Sequence, residues 1–189
     1  LSVGQNIREV GPQSHLVKAG TPTMGGLLIL FTLVVPTLLW ANLANLYVWI
    51  AIGVTVGFGA IGFVDDILKV RRRRNLGLSA RAKFALQVGV ATLAGSLLRV
   101  MPIEGSFAPT LAFPFFKELI INLGILYVPF VVFVLVGASN AVNLTDGLDG
   151  LAIGATLIAA ATYAVFTYVA GNRVVAQYLQ VAYVPGVGE

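Results

Sequence analysis

The chain contains no cysteine, one histidine and little charge of either sign: 12 Lys+Arg and 8 Asp+Glu among 189 residues, 11% in all. Without cysteine there is no disulfide and no thiolate metal site. A lone His15 excludes a histidine cluster and is read as a loop residue. A soluble domain has roughly a quarter of its residues charged, so the scarcity of charge excludes an ordinary water-soluble fold. What is present instead is apolar, with 58% hydrophobic residues and a mean hydropathy of +0.90. The apolar stretches approach about 20 residues, the length that crosses a bilayer as a helix. The net charge of +4 is not a nucleic-acid footprint, because seven of the twelve cations fall between Lys69 and Lys83. Such a cluster marks a cytoplasmic loop under the positive-inside rule.

These patterns predict an all-α, polytopic transmembrane helical bundle with five spans. The spans are Met24–Trp40, Leu46–Val64, Phe84–Val100, Ile120–Ala138 and Leu148–Ala170. With the Lys69–Lys83 loop inside, Arg8 and Lys18 are inside too. The Ala41–Asn45 turn is outside, between Trp40, Tyr47 and Trp49, which suit an interfacial aromatic belt. The Arg99–Glu118 loop is also outside. Its Pro102, Pro109 and Pro114 oppose a helix and leave room for a small β-hairpin. Ser139–Gly147 returns to the inside, and Gly171–Glu189 lies outside again.

This topology gathers the chemistry at one face. All four aspartates, Asp65, Asp66, Asp146 and Asp149, lie at the cytoplasmic ends of spans. Carboxylates beside a bilayer are costly unless they bind something. Aspartate gathers a divalent cation, and lysine or arginine gathers phosphate. In LVKAGTPTMGG, Thr21 is a good helix N-cap and Pro22 fits the first helical position. The free N–H groups of such a helix start suit a phosphate, and Lys18 adds charge; a plain capped helix start explains the segment equally well. Asp65 and Asp66 are adjacent, so on a regular helix they point about 100° apart and cannot both face one spot. They are expected to do different work, one binding Mg²⁺ and the other orienting a nucleophile. Asn140, Asn143, Asp146 and Asp149 recur every three residues, so neighbours would share a helix face able to read a nucleoside or complete a metal shell. The competing explanation is an Asn/Asp/Gly-rich turn. Arg71 to Arg74 are read mainly as the topology signal, and Lys69, one turn beyond the aspartates, is the exception expected at the site.

Four stretches in order, HLVKAGTPTMGG, GFVDDILKV, NLGLSARAKFALQ and NAVNLTDGLDGLA, resemble phospho-N-acetylmuramoyl-pentapeptide transferases of bacterial cell-wall synthesis. The resemblance covers nearly the whole chain. The wider superfamily of polyprenyl-phosphate sugar-phosphate transferases shares the paired aspartate but differs around PTMGG and GLSAR. The resemblance implies a Mg²⁺-dependent multi-pass enzyme of the bacterial inner membrane with its active site on the cytoplasmic face. Undecaprenyl phosphate would attack the β-phosphate of UDP-MurNAc-pentapeptide, giving lipid I and UMP. It also implies roles: Asp65 and Asp66 as the catalytic pair and metal ligands, Lys18, Thr23 and Lys69 as nucleotide or phosphate contacts, and Asn143, Asp146, Gly147, Leu148 and Asp149 as the nucleoside side of the pocket. A homodimer is compatible with it; a nucleic-acid partner is not expected.

The family continues with a Phe-Met-Gly-Asp segment, whose aspartate helps bind metal, and a later histidine-rich motif; its first span precedes the region matched. Arg73 stands where relatives usually carry lysine. Residues 1–189 are therefore expected to be part of a single transferase domain, inactive in isolation. The rivals are a UDP-GlcNAc:undecaprenyl-phosphate GlcNAc-1-phosphate transferase, against which PTMGG argues, an inactive truncated homologue, and a transporter or membrane scaffold. A transporter places ionisable groups near mid-bilayer, and the spans here carry essentially none.

Overall fold

A computed structural model describes residues 25–72, 77–100, 109–113, 116–146, 150–181, 183–185 and 187. Helices α1 (Gly25–Trp40), α2 (Leu46–Arg72) and α3 (Ala80–Val100) come first. They are followed by strands β1 (Thr110–Phe113) and β2 (Phe116–Asn122), then α4 (Tyr127–Thr145), α5 (Leu151–Gly171) and the short α6 (Arg173–Leu179). Helices α2 to α5 are long and apolar enough to cross a membrane, and α1 is a shorter apolar helix. This is a multi-pass helical membrane protein.

The distribution of side chains inverts that of a soluble protein. Leu28, Phe31, Phe133, Leu157 and Phe166 are exposed, whereas the buried hydrophobic positions include Ala91, Ala94, Val136 and Ala152. Lipid tails are as apolar as leucine, so helices associate through close backbone approach at small residues rather than by hiding large ones. Gly95 on α3 is such a point: a Cβ there would meet Val131 Cβ at 3.3 Å and Val128 Cγ1 at 3.4 Å. Neighbouring helices run antiparallel. Gln87 bonds Asn140 at one end of the α3–α4 seam, and Gly95 meets Val131 further along it.

Polar groups within the helices are satisfied locally. Thr37, next to Pro36 in α1, donates its hydroxyl to the Leu33 carbonyl at 2.7 Å, and Thr156 and Thr162 do the same one turn back in α5. Hydrocarbon offers no alternative partner for such groups. In the α1–α2 turn, Asn45 Oδ1 caps α2 by accepting from the Tyr47 N–H at 3.0 Å, and Trp49 Nε1 donates to the Leu43 carbonyl at 2.9 Å.

Several boundaries differ from the sequence expectation: α4 runs past Ala138 to Thr145 and α5 starts at Leu151 rather than Leu148, and three more have a local cause. Helix α2 does not stop at Val64 but runs on to Arg72, because nothing between Val64 and Arg72 breaks a helix. The aspartate pair thus sits inside a helix. The fourth span does not begin at Ile120: residues 116–122 form β2, paired antiparallel with β1 through Leu111↔Ile121 and Ala112↔Ile120. The β-branched Ile120 and Ile121 suit a strand, and Gly124 at φ +49 ends it. The hairpin allowed for in this loop is therefore present. Helix α3 starts before Phe84, where Ser79 Oγ accepts from the Ala82 N–H at 3.2 Å as an N-cap. Helix α6 was not foreseen; Asn172 Oδ1 caps it by accepting from Val174 and Val175.

Candidate functional site

Residues Asp65, Asp66 and Lys69 lie one to two turns from the end of α2. Asp65 is buried, 7% exposed, and both of its carboxylate oxygens are engaged. Oδ1 accepts from the Leu78 backbone N–H at 2.7 Å, and Oδ2 faces Lys69 Nζ at 2.7 Å. Asp66 is about half exposed, and its Oδ1 accepts from the same ammonium at 3.0 Å. The expectation that the two carboxylates cannot share one point needs correction. Lysine is long enough to reach i−4 and i−3 together, so a single cation at Lys69 bridges both.

The Leu78 N–H reaches Asp65 because Gly77 and Leu78 pack back against α2. Gly77 is the residue that makes this possible. A Cβ on it would collide with the Asp65 carboxylate and would lie 2.7 Å from the Asp65 carbonyl oxygen. Sequence reasoning singled out neither Gly77 nor Leu78. The available signal was a glycine two positions before the Ser79 cap, placed to bring backbone against the preceding helix.

On α4, Asn140 does not line an open edge with Asn143. Its amide donates to Gln87 Oε1 at 2.9 Å and to the Val136 carbonyl at 2.8 Å, so it faces α3. The three-residue repeat also stops being helical sooner than the spacing suggested. Helix α4 ends at Thr145, and Asp146 is its C-cap, its N–H donating to the Val142 carbonyl at 3.1 Å. Asn143 and Asp146 are exposed. The antiparallel register that pairs Gln87 with Asn140 puts Asp146 level with the first turn of α3. Asp146 is therefore at the same end of the bundle as Leu78 and Asp65. Lys18, Thr23, Gly147, Leu148 and Asp149 lie outside the described residues, as do Arg73 and Arg74.

Among the described residues no group of three or more acidic, histidine or cysteine side chains converges as a metal cage. Magnesium does not need one. It takes one or two protein carboxylates and fills its octahedron with water and substrate phosphate oxygens. Asp66, half open to solvent, fits that demand, whereas Asp65 is already held on both oxygens.

The chain matches the model of glycosyl transferase family 4 over residues 48–187, and phospho-N-acetylmuramoyl-pentapeptide-transferase signature 1 over residues 18–30. It is similar to proteins named phospho-N-acetylmuramoyl-pentapeptide-transferase. That of Nitratidesulfovibrio vulgaris strain DP4 is 59% identical over 175 residues, covering 93% of this chain and 48% of the relative. That of Citrifermentans bemidjiense is 54% identical over 189 residues, covering 100% and 52%. That of Desulfatibacillum aliphaticivorans is 58% identical over 192 residues, with the same coverage. The chain spans about half the length of the curated relatives it matches. With the family model covering most of its length, the chain belongs to glycosyl transferase family 4 and carries the phospho-N-acetylmuramoyl-pentapeptide-transferase signature.

Proposed function

We propose that this chain is part of the catalytic domain of a phospho-N-acetylmuramoyl-pentapeptide transferase. The enzyme moves phospho-MurNAc-pentapeptide from UDP-MurNAc-pentapeptide to undecaprenyl phosphate at the cytoplasmic face of the bacterial inner membrane. The observation that carries this reading is the Asp65–Lys69–Asp66 cluster, held by the Leu78 amide at the end of a membrane-spanning helix. It places anionic and cationic groups where a lipid phosphate and a water-soluble diphosphate can meet.

The second pKa of a phosphate monoester is about 6, so the lipid phosphate is largely a dianion at neutral pH and needs little deprotonation. One of its oxygens forms the new bond to the β-phosphorus. The bond from that phosphorus to the bridging oxygen breaks, and UMP leaves with the electron pair. The larger demand is to hold two anions in line. Lys69 supplies positive charge to them, and Lys18 and Thr23 hold the donor's phosphates. Asn143, Asp146, Gly147, Leu148 and Asp149 recognise the nucleoside. Asp65, fixed by Leu78 and Lys69, orients the attacking phosphate through that lysine. Asp66, with Asp65 beside it, would hold Mg²⁺, which when bound would supply electrostatic stabilisation of the phosphoryl oxygens.

The test is UMP release by membranes carrying the full-length protein, undecaprenyl phosphate and Mg²⁺. Release from UDP-MurNAc-pentapeptide, lost in Asp65→Asn and Asp66→Asn, is the expected result. Release from UDP-GlcNAc alone would make the protein a GlcNAc-1-phosphate transferase, and release from neither donor would end the enzymatic reading.

A further inference from the structure

The seam between α3 and α4 is smooth. Gly95 lies against Val128 and Val131 along it, and the other buried positions on the two helices include Ala91 and Val136, so the packing there is apolar and carries little directional information. One directional contact interrupts this surface. Gln87, only 4% exposed, accepts from Asn140 Nδ2 at 2.9 Å. In a low-dielectric interior an unpaired amide is costly, and a buried polar pair fixes register where apolar packing is permissive.

Asn140 lies within two turns of Asn143 and Asp146, and Gln87 lies about two turns into α3 from its start at Ala80. Helix α3, which carries Gln87, begins just after Leu78, whose N–H holds Asp65 on α2. Helix α4, which carries Asn140, presents Asn143 one turn on and ends at Asp146. The bonded path Asp65–Leu78–α3–Gln87–Asn140–α4 therefore joins the aspartate side of the site to its nucleoside side. A slip of α4 by one residue would move Asn143 and Asp146 by about 1.5 Å along the axis and about 100° around it.

We propose that Gln87 is a positioning residue. By holding Asn140 it sets the rotation and depth of α4, and so the place of Asn143 and Asp146 relative to the carboxylates on α2. This rests on the transferase reading above for its kinetic consequence, but not for its structural one. The family motifs place Asn140 beside nucleoside-facing residues. The geometry turns it towards α3 and gives its partner, Gln87, a function that the sequence motif alone does not assign.

The test uses the full-length protein and three variants: Gln87→Leu, Asn140→Leu, and the exchange Gln87→Asn with Asn140→Gln, which restores an amide pair of the same total length. Two readouts are taken. One is KM for UDP-MurNAc-pentapeptide and for undecaprenyl phosphate separately. The other is the distance distribution between spin labels at Arg71 on α2 and Leu144 on α4, both exposed. Each leucine variant is expected to raise the donor KM about tenfold, leave the lipid KM within about twofold, and broaden or shift the label distance, since small misplacements far from the chemistry have effects of this order. The exchange variant is expected to restore both readouts. The proposal is overturned if the exchange restores neither. It also fails if Gln87→Leu changes only the yield of folded protein, or if Asn140→Leu impairs donor binding while Gln87→Leu does not, which would make Asn140 a direct nucleoside contact. If the unmodified protein turns over neither donor, the transferase reading fails while the label distances still decide the positioning role.

Discussion

The backbone N–H of Leu78 donates to Asp65 Oδ1 at 2.7 Å, across a separation of 13 residues. With Oδ2 held by Lys69, Asp65 has no oxygen left over, and its neighbour Asp66 does. Adjacent carboxylates of one chemistry thereby acquire different surroundings, and the difference in duty proposed for them can be measured.

Asp66→Asn is expected to raise the Mg²⁺ concentration for half-maximal UMP release by about tenfold or more, because it removes the carboxylate that fits the metal. Asp65→Asn keeps an oxygen for Leu78 but loses one of the two anionic partners of Lys69. It should lower turnover by about a hundredfold with little change in Mg²⁺ requirement, as loss of a fixed electrostatic group does. Titrating Mg²⁺ against each variant checks the split, and equal shifts in both would show that the two aspartates bind the metal together.

Gly77→Ala puts a methyl group into the Asp65 carboxylate and against its carbonyl oxygen. Overpacking of this kind costs about 1–3 kcal/mol, relieved only if the turn or Asp65 moves. The expected outcome is a loss of turnover much larger than the loss of thermal stability in detergent. Unchanged turnover would mean that the Leu78 contact does not matter to catalysis.

Two glycines separate packing from propensity. Gly95→Ala is expected to destabilise by about 1–2 kcal/mol, since its Cβ meets Val131 at 3.3 Å and a packed seam tolerates added volume poorly. Gly137→Ala on α4 meets nothing within 4 Å, and should be neutral or stabilising by up to about 1 kcal/mol through helix propensity alone. Thermal unfolding of both variants in one detergent decides the comparison.

The membrane-length helices were legible because bilayer thickness is a one-dimensional constraint on apolar runs. Runs such as Leu46–Val64 and the cations from Lys69 to Lys83 declare themselves without any knowledge of contacts. Asp65, Asp66 and Lys69 stood out in the same way, as charge beside an apolar run, and the structure brings the three together. What the sequence concealed is pairing across helices. Ile120 and Ile121 read equally well as a short strand or as the start of a span, and only the partner strand β1 decides. Asn140 resembled Asn143 by spacing, yet Gln87, 53 residues away, turns it to a different task. Gly77 is an ordinary loop glycine until Asp65 is packed against it.

The bridging position of Lys69 leads to a prediction with an unusual sign. Its ammonium lies 2.7 Å from Asp65 and 3.0 Å from Asp66, so it neutralises the carboxylate that a metal would use and competes with that metal. Replacing it by methionine removes one positive charge within a few ångströms of the site, a repulsion of about 4 kcal/mol per unit of metal charge at 4 Å and an effective dielectric near 20, and much less after solvent screening. Lys69→Met should therefore bind Mg²⁺ more tightly, with the half-saturating concentration falling several-fold, while turnover falls about a hundredfold because the substrate phosphates lose a cation. A purely structural lysine would lower both stability and turnover without tightening the metal. A lysine that bound only the substrate would leave the Mg²⁺ requirement unchanged. Isothermal titration of Mg²⁺ beside the UMP assay distinguishes the three.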